Sequence, residues 1–139
     1  QDNLNVPVLR FAEVLLIFAE ASNEVNGPTQ EARDALARVR TRAGLETPTV
    51  SALTQESFRE LIWKERWHEL AYEGKTWFDM IRLRQVFNEQ TGGFDDFVGH
   101  VNLSSNQALQ ERNLLFPIPI QEMLNNPNLE VQNPGYVAR

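Results

Sequence analysis

The chain has 139 residues, of which 42% are hydrophobic and 23% charged; that balance excludes a disordered chain and suits one domain or one portion of a larger fold. With no cysteine, a disulfide scaffold, a thiolate metal centre and thiol catalysis are excluded. A formal net charge of −6 excludes sequence-independent nucleic-acid binding, which needs a basic surface.

The opening residues, Gln1-Asp2-Asn3, carry neither an initiator Met nor a basic n-region leading into an apolar h-region. A processed chain, or a portion of a longer one, is the expectation. The longest uncharged apolar run, residues 14–19, lies between Glu13 and Glu20. It is far too short for a bilayer, which needs about 20 residues.

Helical periodicity dominates, and no stretch alternates apolar and polar long enough to predict a strand. The first predicted helix covers residues 7–26. Pro7 suits its first turn, because the N–H that proline lacks would be unpaired there. Phe11, Leu15, Phe18 and Ser22 follow one helical stripe, and Ala12, Leu16 and Ala19 a second. Apolar residues cover most of the circumference, the pattern of a helix packed on more than one side. Asn26-Gly27-Pro28 stops it. The second helix covers 29–43, with Thr29 as its cap. Ala32, Ala35, Leu36, Val39 and Ala43 form a narrow stripe of small residues. Asp34 and Arg38 have the spacing of a favourable i,i+4 pair. Residues 1–45 thus read as a helix hairpin of the tetratricopeptide type.

A polar connector leads to a second helix pair, residues 54–88. Its first helix covers 54–73, with Phe58, Leu61 and Ile62 on one stripe and Trp63, Trp67 and Leu70 on another. Gly74 interrupts, and the partner helix covers 75–88. Residues 89–113 hold Gly92-Gly93, Gly99 and many Asn, Gln and Ser, which predicts a long polar loop. The tail, 114–139, is punctuated by Pro117, Pro119, Pro127 and Pro134, each restricting its predecessor to extended geometry. A short helix is expected near 120–125. Burial of Leu114, Phe116, Ile118 and Tyr136 should hold the rest of the tail on a wrapping path. The resulting fold class is all-α: tetratricopeptide-like helix pairs, a long polar loop and an irregular Pro/Asn-rich tail, as part of a larger fold.

Glu65, Glu69 and Glu73 fall at i, i+4 and i+8 beside Arg66, so one helical face can carry all three. As chemistry, they offer a carboxylate pair for acid–base work or a cation site. A glycoside hydrolase, however, needs two carboxylates facing each other across a sugar, and carboxylates along one stripe do not. As structure, they offer an ionic network with Arg10, Arg82 or Arg84. Composition favours the network: 11 of the 13 basic residues are Arg, which pairs bidentately with carboxylates. The expected members are Arg10, Glu13, Glu65, Arg66, Glu69, Glu73 and Arg82.

His68 and His100 lack ligand spacing, so no metal site is expected. No cofactor is expected either. Gly92-Gly93 lacks the strand–loop–helix frame and the Lys-Ser/Thr of a phosphate loop. No Gly-x-Ser-x-Gly elbow occurs. Trp63 and Trp67 stand within a patterned helix and read as core before sugar platform. The better ligand candidates are Phe94, Asp95, Asp96, Phe97, His100 and Asn102, which combine aromatic faces with hydrogen-bonding groups.

Residues 10–21, Arg-Phe-Ala-Glu-Val-Leu-Leu-Ile-Phe-Ala-Glu-Ala, resemble the "R-[YF]-A-E-x-L-L-x-x-A-E-A" helix of the SusD/RagB family. Residues 39–45 are similar to its "VRxRAGL" segment, and residues 65–74 to its "ERRxELAFEG" helix. Phe78-Asp79-Met80-Ile81-Arg82 resembles "FDLIR". Leu115-Phe116-Pro117-Ile118-Pro119, Asn126-Pro127 and Gln132-Asn133-Pro134-Gly135-Tyr136 resemble the ending "LFPIP…NP…QNPGY". These motifs follow one another in order across nearly the whole chain except 89–112, and they match the C-terminal part of the family.

The resemblance implies a mainly α fold with tetratricopeptide-like pairs. It implies a cell-surface outer-membrane lipoprotein that binds glycans or other nutrients and is not an enzyme. It implies a SusC-like TonB-dependent transporter as partner, with membrane attachment only through an N-terminal lipid anchor absent from this chain. The rival reading is a free-standing tetratricopeptide-type module that binds a protein segment. Such a module should leave its groove open, whereas a wrapping tail would cover the helices.

Overall fold

The computed structural model describes residues 8–103 and 105–137. Among them five α-helices follow in order: α1 (Phe11–Asn26), α2 (Gln30–Arg42), α3 (Gln55–Glu69), α4 (Thr76–Leu83) and α5 (Ile120–Asn125). Four short strands lie between α4 and α5: β1 (Gln85–Asn88), β2 (Gly93–Asp96), β3 (Val101–Asn102) and β4 (Gln107–Ala108). The chain divides into two compact units, Gln1–Thr76 and Trp77–Arg139.

In the first unit, α1 and α2 form the hairpin and α3 packs against α1. α1 starts at Phe11 because Arg10 is extended, with φ −115°. Pro7 lies outside the described residues. Gly27 closes α1 at φ 74°, its N–H donating to the Asn23 carbonyl at 2.9 Å. The Thr29 hydroxyl caps α2 by accepting the Ala32 N–H at 3.2 Å. α2 ends in a Schellman turn: Leu45 N–H donates to the Arg40 carbonyl and Gly44 N–H to that of Thr41, with Gly44 at φ 76°. Leu16, Ala19, Ala32, Ala35, Leu36, Val39, Phe58 and Ile62 form the core. The small residues of α2 face Leu16 and Ala19 across it. Fully buried Asn23 donates to the Gln55 carbonyl at 2.9 Å, and the Gln55 amide returns a bond to the Asn23 carbonyl at 2.6 Å.

α3 opens on a capping box between Thr54 and Ser57. It stops at Glu69, short of the predicted 73. The Glu69 carbonyl, which would accept from residue 73 in a continuing helix, instead accepts from Arg10 Nη2 at 2.8 Å. The Glu73 N–H turns to the Leu70 carbonyl, and Tyr72 takes a left-handed φ of 63°.

The second unit departs most from the pattern expected of it. Helix was predicted to residue 88, but α4 ends at Leu83. Arg84 turns left-handed at φ 54°, and residues 85–88 pair antiparallel with 93–96, Phe87 opposite Phe94. The predicted structureless stretch 89–113 therefore contains most of two hairpins. In the first turn, the Asn88 side-chain oxygen accepts from the N–H groups of Gln90 and Thr91, an Asx turn. In the second hairpin, Val101 faces Ala108 and Asn102 faces Gln107. The helix of the tail, α5, covers the predicted 120–125. Leu114, Ile118 and Tyr136 are half-buried, but Phe116 is 62% exposed, against expectation. Side chains pin the tail to itself: the Gln132 amide bridges to both backbone groups of Ile118. Tyr136 donates its hydroxyl towards the carbonyls of Arg112 and Leu115.

Candidate functional site

Two side-chain clusters hold the residues singled out from the sequence. The first lies where α3 ends. Arg10 Nη1 donates to the Glu69 carboxylate at 2.9 Å and Nε to that of Glu73 at 2.9 Å. Arg42 reaches the other Glu69 oxygen at 2.5 Å. Glu69 thus sits between two guanidinium groups with its side chain only 6% exposed. One turn earlier, buried Glu65 accepts from Arg40 at 2.9 Å. Glu13 pairs with Lys75 at 3.2 Å. Arg66 is buried on α3, and Arg82 pairs with Asp79 on its own helix at 3.0 Å.

The hydrogen bond from Arg10 holds the Glu73 carboxyl below the usual carboxylate range. A general acid requires the opposite shift. Arg40, Arg42 and Lys75 were not anticipated as partners. Their signal was the spacing of Arg40 and Arg42 at the end of α2, where cations also favour the helix C-terminus. Asp34 and Arg38 part company: Asp34 takes Gln30 and Arg33, and Arg38 lies 5.0 Å from the Phe11 ring centroid.

The second cluster lies on the first hairpin. His100 Nδ1 and the Asp95 carboxylate are 3.0 Å apart, and the Asn88 amide donates to the same Asp95 oxygen at 2.9 Å. These bonds, His100's first and Asn88's second, hold the Asp95 carboxyl below its usual range. Asn88 is the member missed from sequence. The Phe94 ring packs edge-on to Phe87 at 5.4 Å. Asp96 points to the other face of the strand and is exposed, as is Asn102 at the second hairpin. Phe97 corrects the expectation: it is 1% exposed and packs edge-on to Trp77 at 5.9 Å. It is a core residue and presents no stacking face. A shallow hollow of about 230 Å³, lined by Arg84, Asp96, Phe97, Val98 and Leu114, opens beside it. That is below the usual size of a small-molecule pocket, so it offers a foothold and not an enclosure. Arg84 spans it towards Glu111 at 3.2 Å.

Among the described residues no group of three or more His, Cys, Asp or Glu could hold a metal ion. No helix among them is long and apolar enough to cross a membrane.

The SusD family profile matches residues 1–136. The chain belongs to the SusD family. SusD-like protein P2 of Formosa agariphila is 35% identical over 142 residues, covering 98% of this chain and 27% of that protein. SusD-like protein P25 of the same organism is 36% identical, covering 93% and 24%. The crystal structure of a SusD superfamily protein from Parabacteroides distasonis ATCC 8503 is similar, with a TM-score of 0.89 at 38% identity over 98% of this chain and 28% of that one. The chain therefore spans about a quarter of the length of these relatives. The α1–α2 hairpin and the Arg10–Glu69–Glu73 cluster carry SusD-type motifs, as do residues 78–82 of α4 and the tail. Most of the 85–108 hairpins falls within 89–112, where no motif matched.

Proposed function

We propose that this SusD-family chain is part of a cell-surface protein that binds oligosaccharide or a related nutrient without chemical change. In this reading it passes the ligand to a SusC-like TonB-dependent transporter in the outer membrane. Attachment there is through a lipid anchor. The family match over residues 1–136 carries the reading.

The chemistry of the carboxylates supports the non-catalytic part. Glu65, Glu69 and Glu73 are each held by arginine, and the hydrogen bond from Arg10 that holds the Glu73 carboxyl below the usual carboxylate range makes Glu73 a poor proton donor. The ligand-facing groups we assign are Asp96, Arg84 and Asn102, which are exposed, and the half-buried Phe94 of the same strand as Asp96. Asp95 and His100 support the hairpin that presents Asp96. The first helix cluster is scaffold.

The test is a glycan array with the whole protein, followed by titration of any hit against Asp96→Ala and Arg84→Ala. Binding weakened about tenfold or more by either change, with intact sugar recovered, supports the reading. Cleaved sugar, or no binding to any glycan, overturns it.

A further inference from the structure

His100 belongs to both hairpins of the second unit. By its backbone it continues the second hairpin: the Leu109 N–H donates to the His100 carbonyl at 2.9 Å, and the Gly99 N–H to that of Leu109 at 2.8 Å. By its side chain it reaches the first hairpin, where Nδ1 stands 3.0 Å from the Asp95 carboxylate. The second hairpin needs such a hold. Every described residue from Val101 to Ala108 is exposed, and a two-stranded hairpin with no buried face is marginal in water. Its link back to the first hairpin, Val98-Gly99, is exposed as well.

The chemistry of the pair fixes where the protons sit. The Asp95 carboxyl lies below its usual range, chiefly through the bond to His100. Near neutral pH it is therefore an anion and only accepts. Nδ1 must carry a hydrogen and donate, whether the ring is neutral or charged. A second proton enters at Nε2 and leaves this bond in place. It converts a neutral donor into a charge-assisted one, roughly twice as strong. The surrounding elements bring few rival charges. β1 contributes the Asn88 amide, which donates to the same Asp95 oxygen at 2.9 Å, and no ionisable side chain. Glu89 lies in the exposed turn that follows. Asp96, the next residue of β2, alternates to the other face. β3 and β4 hold no ionisable residue. Beyond β4, Glu111 is engaged by Arg84 at 3.2 Å, and Arg112 turns to the Gly135 carbonyl at 3.4 Å.

We propose that the Asp95–His100 pair is a pH-responsive clasp that holds the second hairpin, and with it Asn102, against the first. The clasp is tightest where Asp95 is ionised and the imidazole charged. It loosens as pH rises through the range in which histidines ordinarily lose their charge, near about 6.5. In strong acid it opens, as Asp95 takes up a proton. Its bearing on recognition rests on the ligand-facing role assigned above to Asn102 and Asp96. Ligand affinity then rises on mild acidification, because the ligand meets two hairpins already aligned.

Amide hydrogen exchange on the whole native polypeptide tests the clasp with no ligand present, so its failure is distinct from failure of the glycan titration. Each rate is divided by the intrinsic rate of that amide at the same pH. The Gly99 and Leu109 amides should be about fivefold better protected at pH 5.5 than at pH 7.5, while the paired amides of β1 and β2 keep one value. His100→Gln retains a donor but cannot titrate, and Asp95→Asn removes the anion. Both should abolish the difference, with β1–β2 protection confirming that each variant is folded. Equal protection of Gly99 and Leu109 at the two pH values in the parent overturns the proposal. So does a difference that survives in either variant, or one shared by β1 and β2, which would report the stability of the whole unit.

Discussion

Arg10 reaches Glu69 twice: Nη1 donates to its carboxylate at 2.9 Å and Nη2 to its backbone carbonyl at 2.8 Å. The same side chain therefore fixes the start of α1 and terminates α3. One guanidinium does this because its donors lie in a rigid fork, and Nε is left for Glu73.

Lysine cannot reproduce that fork. Arg10→Lys should destabilise the first unit by about 1–3 kcal/mol, the usual range for losing partly buried, charge-assisted hydrogen bonds. Glu69→Gln should destabilise it in the same range, since two arginines then face a neutral amide. Urea unfolding checks both, and unchanged midpoints would remove the cluster from the stability of the fold.

The acid response follows from the same bonds. Arg10 lowers the Glu73 carboxyl and Arg59 lowers that of Glu24. The folded state therefore binds fewer protons than the unfolded state near pH 4. Their stabilisation is full above the unfolded pKa, about 4.3, and is lost as pH falls through the lower folded values. Glu73→Gln should lower stability at pH 7 and flatten its decline below pH 4.5. Parallel urea titrations from pH 7 to 3 decide it. Identical acid limbs for the two proteins would show that Glu73 is not a source.

Gly135 sits at φ 84°, and a Cβ there would stand 2.6 Å from Arg112 Cβ. Gly135→Ala should release Tyr136 from the carbonyls it meets, seen as faster hydrogen exchange across 112–118. Gly27 is a control, because its Cβ would meet open space. Gly27→Ala should cost about 1 kcal/mol from its positive φ alone. Equal tail protection in Gly135→Ala and the parent would contradict the close approach.

Phe97 and Asp96 are neighbours with opposite assignments. Phe97→Ala should cost about 3–5 kcal/mol, as emptying a buried aromatic site does, and should unfold the second unit at lower temperature. Asp96→Ala should leave the melting temperature within about 1 °C and reduce glycan binding. Calorimetry and titration on both variants separate packing from recognition. The reverse pattern would exchange the two roles.

The first unit was legible because its signals are local and periodic. Thr29, Gly27 and Gly44 mark ends, and Leu16 with Ala19, Ala32 with Leu36 and Phe58 with Ile62 recur at helical spacing within their helices. The early end of α3 was not legible, since Arg10 lies 59 residues before Glu69 in sequence. β1 was missed for a different reason. Val86 and Phe87 are adjacent and both buried, so four residues gave no alternation of period two. The apolar residues before them continued a helical run that only Arg84 breaks. In the candidate site, the pairing of Asp95 with His100 could be guessed from proximity. Asn88 could not, because the hairpin that brings it across had not been read.

The Arg10 fork also sets an order of events during synthesis. A chain emerging from the ribosome amino end first exposes the beginning of α1 long before Glu69 and Glu73 exist. At about 5–20 residues per second, those partners follow roughly 3–12 s later. Until then the Arg10 end of α1 stays unfastened. The first unit is sealed by a late, long-range closure, and factors that hold nascent chains have their widest opening in that interval.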